Sequence, residues 1–455
     1  MTRIGLLPLA RPTFDMPFAE EKLAAMLERL DAHGAALVGP RVPILDADAA
    51  AAALAEIVET GCDRLLILQL TFTDAGTAAA AAATGLPLSI WAVPEPRSGG
   101  RLRLNAFCGL NLASHALSLR GTAFAWAYGD PDGLPDDSLD ALLDGTRLAG
   151  RLDGAPPAGP SDAPPRPFRI ARIGAHPDGF DTCAYDPARL RALTGTEVDE
   201  IALATLFDTA GCVPEAETAG LRTRAGRELA GLDDVDAGEL DRSLRLKAAL
   251  SRLRTEGGYD AFAIRCWPEC FTEYGGAVCG PVAMMAEDGT PCACEADVYG
   301  ALSQLVLGEA AQAPVFLTDL VDMDAEDDSA VLWHCGQAPL SMRDPDAPAR
   351  AAIHSNRRMP LLYQFPLKPG RVTLMRVSQS HDQPKMILAG AEMLARPLAF
   401  SGTSGVLRFD RPVASLLPDL IAAGTEHHMA LAYGDHQPAL RRRAAALGLP
   451  LLELT

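Results

Sequence analysis

Acids, histidines and arginines gather at a few points of this chain. One is Arg265-Cys266-Trp267-Pro268-Glu269-Cys270-Phe271-Thr272-Glu273, where an apolar run stops at Cys266. Pro268 cannot donate to a ladder, so Glu269 emerges where the chain leaves a sheet. A second is Cys294-Glu295-Ala296-Asp297, two acids flanking one residue at the start of a helix. At that spacing one acid faces a site. Alternatively, both merely complement the dipole of the helix. Carboxylates at neighbouring strand ends, Glu269 and one of Glu295 and Asp297, suit a divalent ion or an acid–base pair. A third point is Glu426-His427-His428-Met429, followed by Tyr433-Gly434-Asp435. Adjacent histidines beside a carboxylate can ligate a metal or move a proton, or they are simply a polar loop.

Two basic points stand in otherwise acidic sequence: His354-Ser355-Asn356-Arg357-Arg358, and Arg11 in the loop Leu9 to Asp15. Either can clamp an anionic substrate, although an exposed arginine more often serves only solvation. The cysteines do not spell a zinc knuckle. Cys266-x3-Cys270 and Cys292-x-Cys294, with Cys279 between, lack paired C-x2-C spacing, so buried thiols are the expectation. There is no Walker A sequence, no G-x-G-x-x-G after the first strand and no G-x-S-x-G elbow.

The elements that must position these groups follow from hydrophobic period. Strand and helix patterns alternate from Arg3 to Val93, including a helical face of Leu23, Met26, Leu27 and Leu30 and a helix capped by Asp46. Such alternation predicts a parallel sheet covered on both faces. Residues 151–167 hold six prolines and two glycines and read as a linker. A second alternating block runs from Phe168 through strands at Val198 to Leu206 and Tyr259 to Cys266, then a helix from Val298 and a strand Val315 to Val321. Beyond about residue 330, short alternating runs separated by turn residues predict antiparallel strands. The expected fold class is therefore α/β. Two Rossmann-like parallel-sheet domains, 1–150 and 168–328, precede a mainly antiparallel β domain, 329–455.

Composition bounds the function. The chain has 455 residues, 48% hydrophobic and 22% charged, which is ordinary globular composition. A net charge of -19 opposes a phosphate backbone, so no nucleic-acid partner is expected. No window approaches the roughly 18 apolar residues of a membrane span. The N-terminus reads as a first strand and not as a signal peptide. Ten cysteines in such a chain predict reduced thiols and a cytoplasmic location.

The segment Cys294-Glu295-Ala296-Asp297-Val298-Tyr299-Gly300-Ala301-Leu302 resembles the L-fucose isomerase / L-arabinose isomerase superfamily. So do Cys266-Trp267-Pro268-Glu269, Trp333-His334-Cys335-Gly336 and the closing Glu426-His427-His428 through Tyr433-Gly434-Asp435. The resemblance covers roughly residues 168–455, and the N-terminal block carries no specific motif. It implies a three-domain aldose–ketose isomerase acting on a small-molecule sugar. It also implies Mn2+ or another divalent cation held by Glu269, Asp297 and either His427 or His428. Glu273 competes with Glu269 as the first ligand. Arg11, Glu273, His334, His354 and Arg357 are the expected substrate contacts. The implied assembly is a homotrimer or homohexamer in which the first domain helps to close a neighbour's site. Such an enzyme would work through an enediolate, with one base and one acid around the ion. The basic segment at His354 points to a sulfonated or carboxylated sugar. The competing readings are a decarboxylase or lyase using the same metal-enolate chemistry, and a sugar-binding relative without catalysis.

Overall fold

The computed structural model describes residues 2–158, 161 and 166–454. Gly159, Pro160, Pro164 and Pro165 of the expected linker therefore lie outside the described residues. Nearby, Ala155 donates its backbone N–H to Leu451 O at 2.8 Å, so this part of the segment lies along the last strand.

The first sheet is fully parallel, in the order Ala36–Val38, Arg3–Leu9, Arg64–Gln69, Leu88–Ala92, Phe124–Tyr128. Six of the seven residues of Arg3–Leu9 are buried, as befits a strand covered on both faces. Asp46 caps the helix Ala47–Thr60 by accepting from Ala49 N at 2.8 Å, as the sequence suggests. The second sheet is also parallel, in the order Glu197–Ile201, Arg169–Ile173, Ala261–Ile264, Cys292–Ala293. The strand expected from Val198 to Leu206 is shorter: it stops at Ile201, and a helix Leu203–Gly211 follows. Leu206 and Ala210 point one helical turn apart into the core, a spacing that mimics strand alternation over so short a run.

The third sheet has nine strands. Six of them close on themselves: Thr403–Phe409, Ser329–His334, Phe316–Asp324, His428–Tyr433, Gly370–Ser378 and Lys385–Met393, the last pairing back with the first. Every pairing in this ring is antiparallel. Closure removes the exposed edges that an open sheet would present. The strand Phe316–Asp324, expected at the end of the second block, belongs to this ring. Its continuous burial is compatible with either sheet, so its run alone could not choose. The helix Val298–Ala311, buried at its first ten residues, packs against strands of both the second sheet and the ring.

Candidate active site

The site lies where the three sheets meet. The strand Cys292–Ala293 ends in a tight turn in which Glu295 and Ala296 take left-handed φ of 58° and 56°. Two consecutive non-glycine residues in that region cost roughly 1–3 kcal/mol each. The turn is held by Asp297, which caps the next helix through Gly300 N at 2.8 Å. It directs Glu295 into the cavity and Asp297 away from it.

Glu295 is buried. Its Oε1 accepts from Trp267 Nε1 at 2.9 Å, and its Oε2 lies 3.0 Å from His427 Nε2. Burial alone would raise its pKa, but His427, His428 and the Trp267 hydrogen bond hold it below the ordinary value. Asp319 stands in the middle of Phe316–Asp324, paired in register with His428 on one side and Trp333 on the other. Its Oδ1 is buried without a hydrogen-bond partner. His428 Nε2 lies 3.4 Å from that Oδ1 and 3.8 Å from Glu295 Oε2. His428 Nε2 thus stands within reach of both carboxylates, and two overlapping buried groups could each hold an ion: Cys183, Glu295, His427 and His428, and Asp319, His334 and His428.

His428 is oriented from behind. Its Nδ1 donates to Asp297 Oδ2 at 2.9 Å, which leaves the Nε2 lone pair facing the cavity. Asp297 in turn receives Arg376, with Nη1 to Oδ2 at 2.5 Å and Nη2 to Oδ1 at 3.0 Å, both side chains fully buried. Burial opposes the Asp297 charge, but Arg376 and His428 outweigh it and hold the carboxyl far below its ordinary value. A Cβ on Gly300 would meet Asp297 Oδ2 at 2.4 Å, so a side chain there would displace this carboxylate.

The cavity around this cluster is lined by all three parts of the chain. Arg11, Phe72 and Asn105 come from the first, Trp267 and Glu295 from the second, and Asp319, His334, His354 and Arg357 from the third. The Arg357 guanidinium lies over Trp267 at 4.8 Å and over Phe271 at 5.5 Å, with no carboxylate partner among the described residues. Burial, and then the nearby Arg11, holds its pKa below the ordinary value. Arg11 also faces Trp267 at 5.5 Å but is paired with Asp74 at 3.0 Å.

The expected site residues therefore divide. Arg11, His334, His354, Arg357 and His427 line the cavity, and His428 joins the cluster behind them. Asp297 touches the cluster only through His428, because its carboxylate is already filled by Gly300 N, His428 and Arg376. Glu269 does not reach it. Its carboxylate pairs with Arg265 at 2.7 Å, four residues back on its own turn. Glu273 is exposed. Sequence reasoning assigned no role to Asp319, although a carboxylate inside the apolar run Val315 to Val321 is a desolvated charge that demands a partner. It also preferred Asp297 to Glu295, although aspartate is the better N-cap.

One further expectation is corrected. Two of the ten thiols are joined: Cys266 and Cys294 form a disulfide with Cα atoms 5.8 Å apart, because the turns after adjacent strands bring them together. Arg11, Phe72 and Asn105 of the first domain line the cavity of their own chain. Arg101 to Asn356 at 2.8 Å and Arg97 to Asp322 at 2.6 Å tie the first domain to the third.

Two parallel sheets and an antiparallel ring thus meet over a cavity of buried carboxylates and histidines. Residues 5–143 match the model for the N-terminal domain of the fucose/sulfoquinovose isomerases. This is the block in which no motif was singled out. The chain is 30% identical to a sulfoquinovose isomerase of Alkalicoccus urumqiensis, covering all of both chains. A sulfoquinovose isomerase of Priestia megaterium is 30% identical over 95% of both chains, and one from a Clostridium species is 29% identical over 98% of both. The chain belongs to the fucose/sulfoquinovose isomerase family. It is an intramolecular oxidoreductase, a sugar isomerase. Among the described residues no helix is long and apolar enough to cross a membrane.

Proposed function

We propose that this isomerase converts a sulfonated aldose, sulfoquinovose, into its ketose, with a divalent cation held by Glu295, Asp319 and His428. The observation that carries the reading is that His428 Nε2 lies between two buried carboxylates, 3.8 Å from Glu295 Oε2 and 3.4 Å from Asp319 Oδ1, and that Asp319 Oδ1 has no donor. An orphaned buried carboxylate oxygen is costly unless a cation or donor completes it. When bound there, Mn2+ or a similar ion would supply Lewis-acid polarisation of the sugar oxygens and charge stabilisation of an enediolate.

The chain's own residues account for the rest. Moving a carbonyl between C1 and C2 needs a proton taken from one carbon and returned to the other. Asp319 is the better base, because its second oxygen, Oδ2, is left over when Oδ1 holds the ion, whereas both Glu295 oxygens already have partners. His427, whose Nδ1 is buried and unpartnered, is placed to exchange a proton with a sugar oxygen. At the other end of the cavity, Arg357 and then Arg11 face Trp267 and offer cationic, planar donors to a sulfonate. The names of the relatives and this unpaired arginine favour the same substrate class. A trimeric or hexameric assembly is compatible with this cavity.

The test is turnover of sulfoquinovose by purified protein, followed by NMR. Activity should be lost with EDTA and return with Mn2+, and the ketose formed in D2O should carry deuterium at C1. Full activity in metal-free protein would overturn the ion. Complete absence of solvent label over many turnovers would overturn the proton-transfer route. Preference for uncharged glucose over sulfoquinovose would overturn the substrate.

A further inference from the structure

The wall of the cavity carries a second cysteine pair that isomerisation does not use. Cys279, the first residue of the helix Cys279–Glu287, and Cys335, just past the strand Ser329–His334, place their sulfurs 3.3 Å apart. Both are free and buried, and both line the cavity. They come from segments 56 residues apart in sequence. Gln337 Nε2 donates to the Cys335 sulfur at 3.5 Å, and the His334 ring nitrogen Nδ1 lies 3.3 Å from it. The same wall already holds the cystine Cys266–Cys294.

We propose that Cys279 and Cys335 are a redox-modifiable dithiol, which a peroxide entering the cavity oxidises to a disulfide that slows turnover. The step balances. The Cys335 sulfur attacks one peroxide oxygen, the O–O bond breaks, and the chain gains a sulfenic acid as one water leaves. The Cys279 sulfur then attacks the sulfenic sulfur, the S–S bond forms, and a second water departs. Two electrons pass from the thiols to the peroxide, and the two thiol protons end in the two waters.

The roles of the two sulfurs are unequal. A hydrogen bond from Cys279, against burial and with help from His334, holds the Cys335 thiol well below its ordinary pKa. That same bond, together with burial, pushes Cys279 up. Cys335, whose sulfur Gln337 Nε2 and His334 Nδ1 flank at 3.5 and 3.3 Å, is the attacking sulfur, and Cys279 is the resolving one. Closing the bond draws the sulfurs from 3.3 Å to about 2.05 Å. That movement pulls on His334, whose ring stacks on His428 at 5.9 Å between centroids. The disulfide thus acts on the cluster from its cavity side.

Peptide mapping reads the cross-link independently of the ion and the sugar. Metal-loaded protein is treated with limiting hydrogen peroxide, alkylated after denaturation, digested and weighed. A Cys279–Cys335 cross-linked peptide should form, lighter by two hydrogens, and revert with dithiothreitol. It should form before the exposed Cys212 is trapped as a sulfenic acid by dimedone. Turnover should fall in proportion to the cross-linked fraction and return on reduction. Phenylarsine oxide, which bridges paired thiols, should bind wild type and fail on C279S, and C279S should stop at a dimedone-reactive Cys335. Oxidation of Cys212 with Cys279 and Cys335 still alkylatable would overturn the proposal. So would a cross-link that leaves turnover unchanged.

Discussion

The turns after Ala261–Ile264 and Cys292–Ala293 leave adjacent parallel strands and are tied together by Cys266–Cys294. Each carries a glutamate at the carboxyl end of its strand, where an α/β sheet presents ligand-facing groups. Their fates differ. Glu269 folds back onto Arg265 of its own turn. Glu295 sits at left-handed φ and is thrown into the cavity, onto Trp267 and His427. The first turn contributes its indole and not its acid. Position at a strand end is therefore not sufficient. What counts is which backbone conformation aims the side chain and whether a local cation claims it first.

Substitutions at the two turns test this contrast. The largest effect is expected at the cluster itself. E295Q, and D319N on the ring strand Phe316–Asp324, should each lower kcat by at least about 10²-fold and reduce the metal retained after dialysis. Elemental analysis beside steady-state kinetics separates these two losses, and near-normal turnover in either variant would dissolve the proposed cluster.

Asp297, the other acid of the second turn, should behave differently. D297N leaves buried Arg376 with Glu426, 3.8 Å away, as its one remaining carboxylate among the described residues, so the stability lost should stay below the roughly 3–5 kcal/mol of a fully broken buried pair. It also loosens His428, so metal affinity should weaken by about 10–100-fold. Thermal unfolding of the metal-free protein reads the first effect, and metal titration reads the second. A variant with unchanged Tm and affinity would mean that Asp297 does not position His428.

Smaller again is the expected effect at the anionic end. R357A should raise KM for sulfoquinovose by about tenfold, the scale of one charge-assisted pair, with little change for a neutral aldose. R11A should do less, because Arg11 already spends part of its charge on Asp74. Equal losses on charged and neutral sugars would assign Arg357 to packing against Trp267 instead. The smallest effect belongs to the first turn: E269Q should change kcat and KM by less than about threefold, since a partly exposed ion pair contributes little. A hundredfold loss there would reverse the comparison.

Much of this molecule was legible in the sequence. Hydrophobic period located the parallel strands at Arg3–Leu9, Arg64–Gln69 and Ala261–Ile264, because a strand covered on both faces must be apolar throughout. Turn residues and alternation marked the antiparallel part. Residue chemistry picked out the E-x-D turn, the paired histidines and the arginine of the His354 segment, because such groups are rare in apolar surroundings. Sequence alone did not decide which acid of the E-x-D turn faces inward, since that depends on a two-residue left-handed turn held by a cap and by Arg376, 79 residues away. Nor did it decide that Asp319 belongs to the site. That residue meets His428 through a strand register set by closure of the ring, and register is fixed by tertiary pairing and not by local preference. The first domain's own closure over the cavity, through Arg11 and Phe72, was likewise settled by tertiary contacts such as Arg97 with Asp322. Local physics chose the elements and the kinds of residue available for chemistry. Only the long-range packing of three sheets chose which of those residues meet.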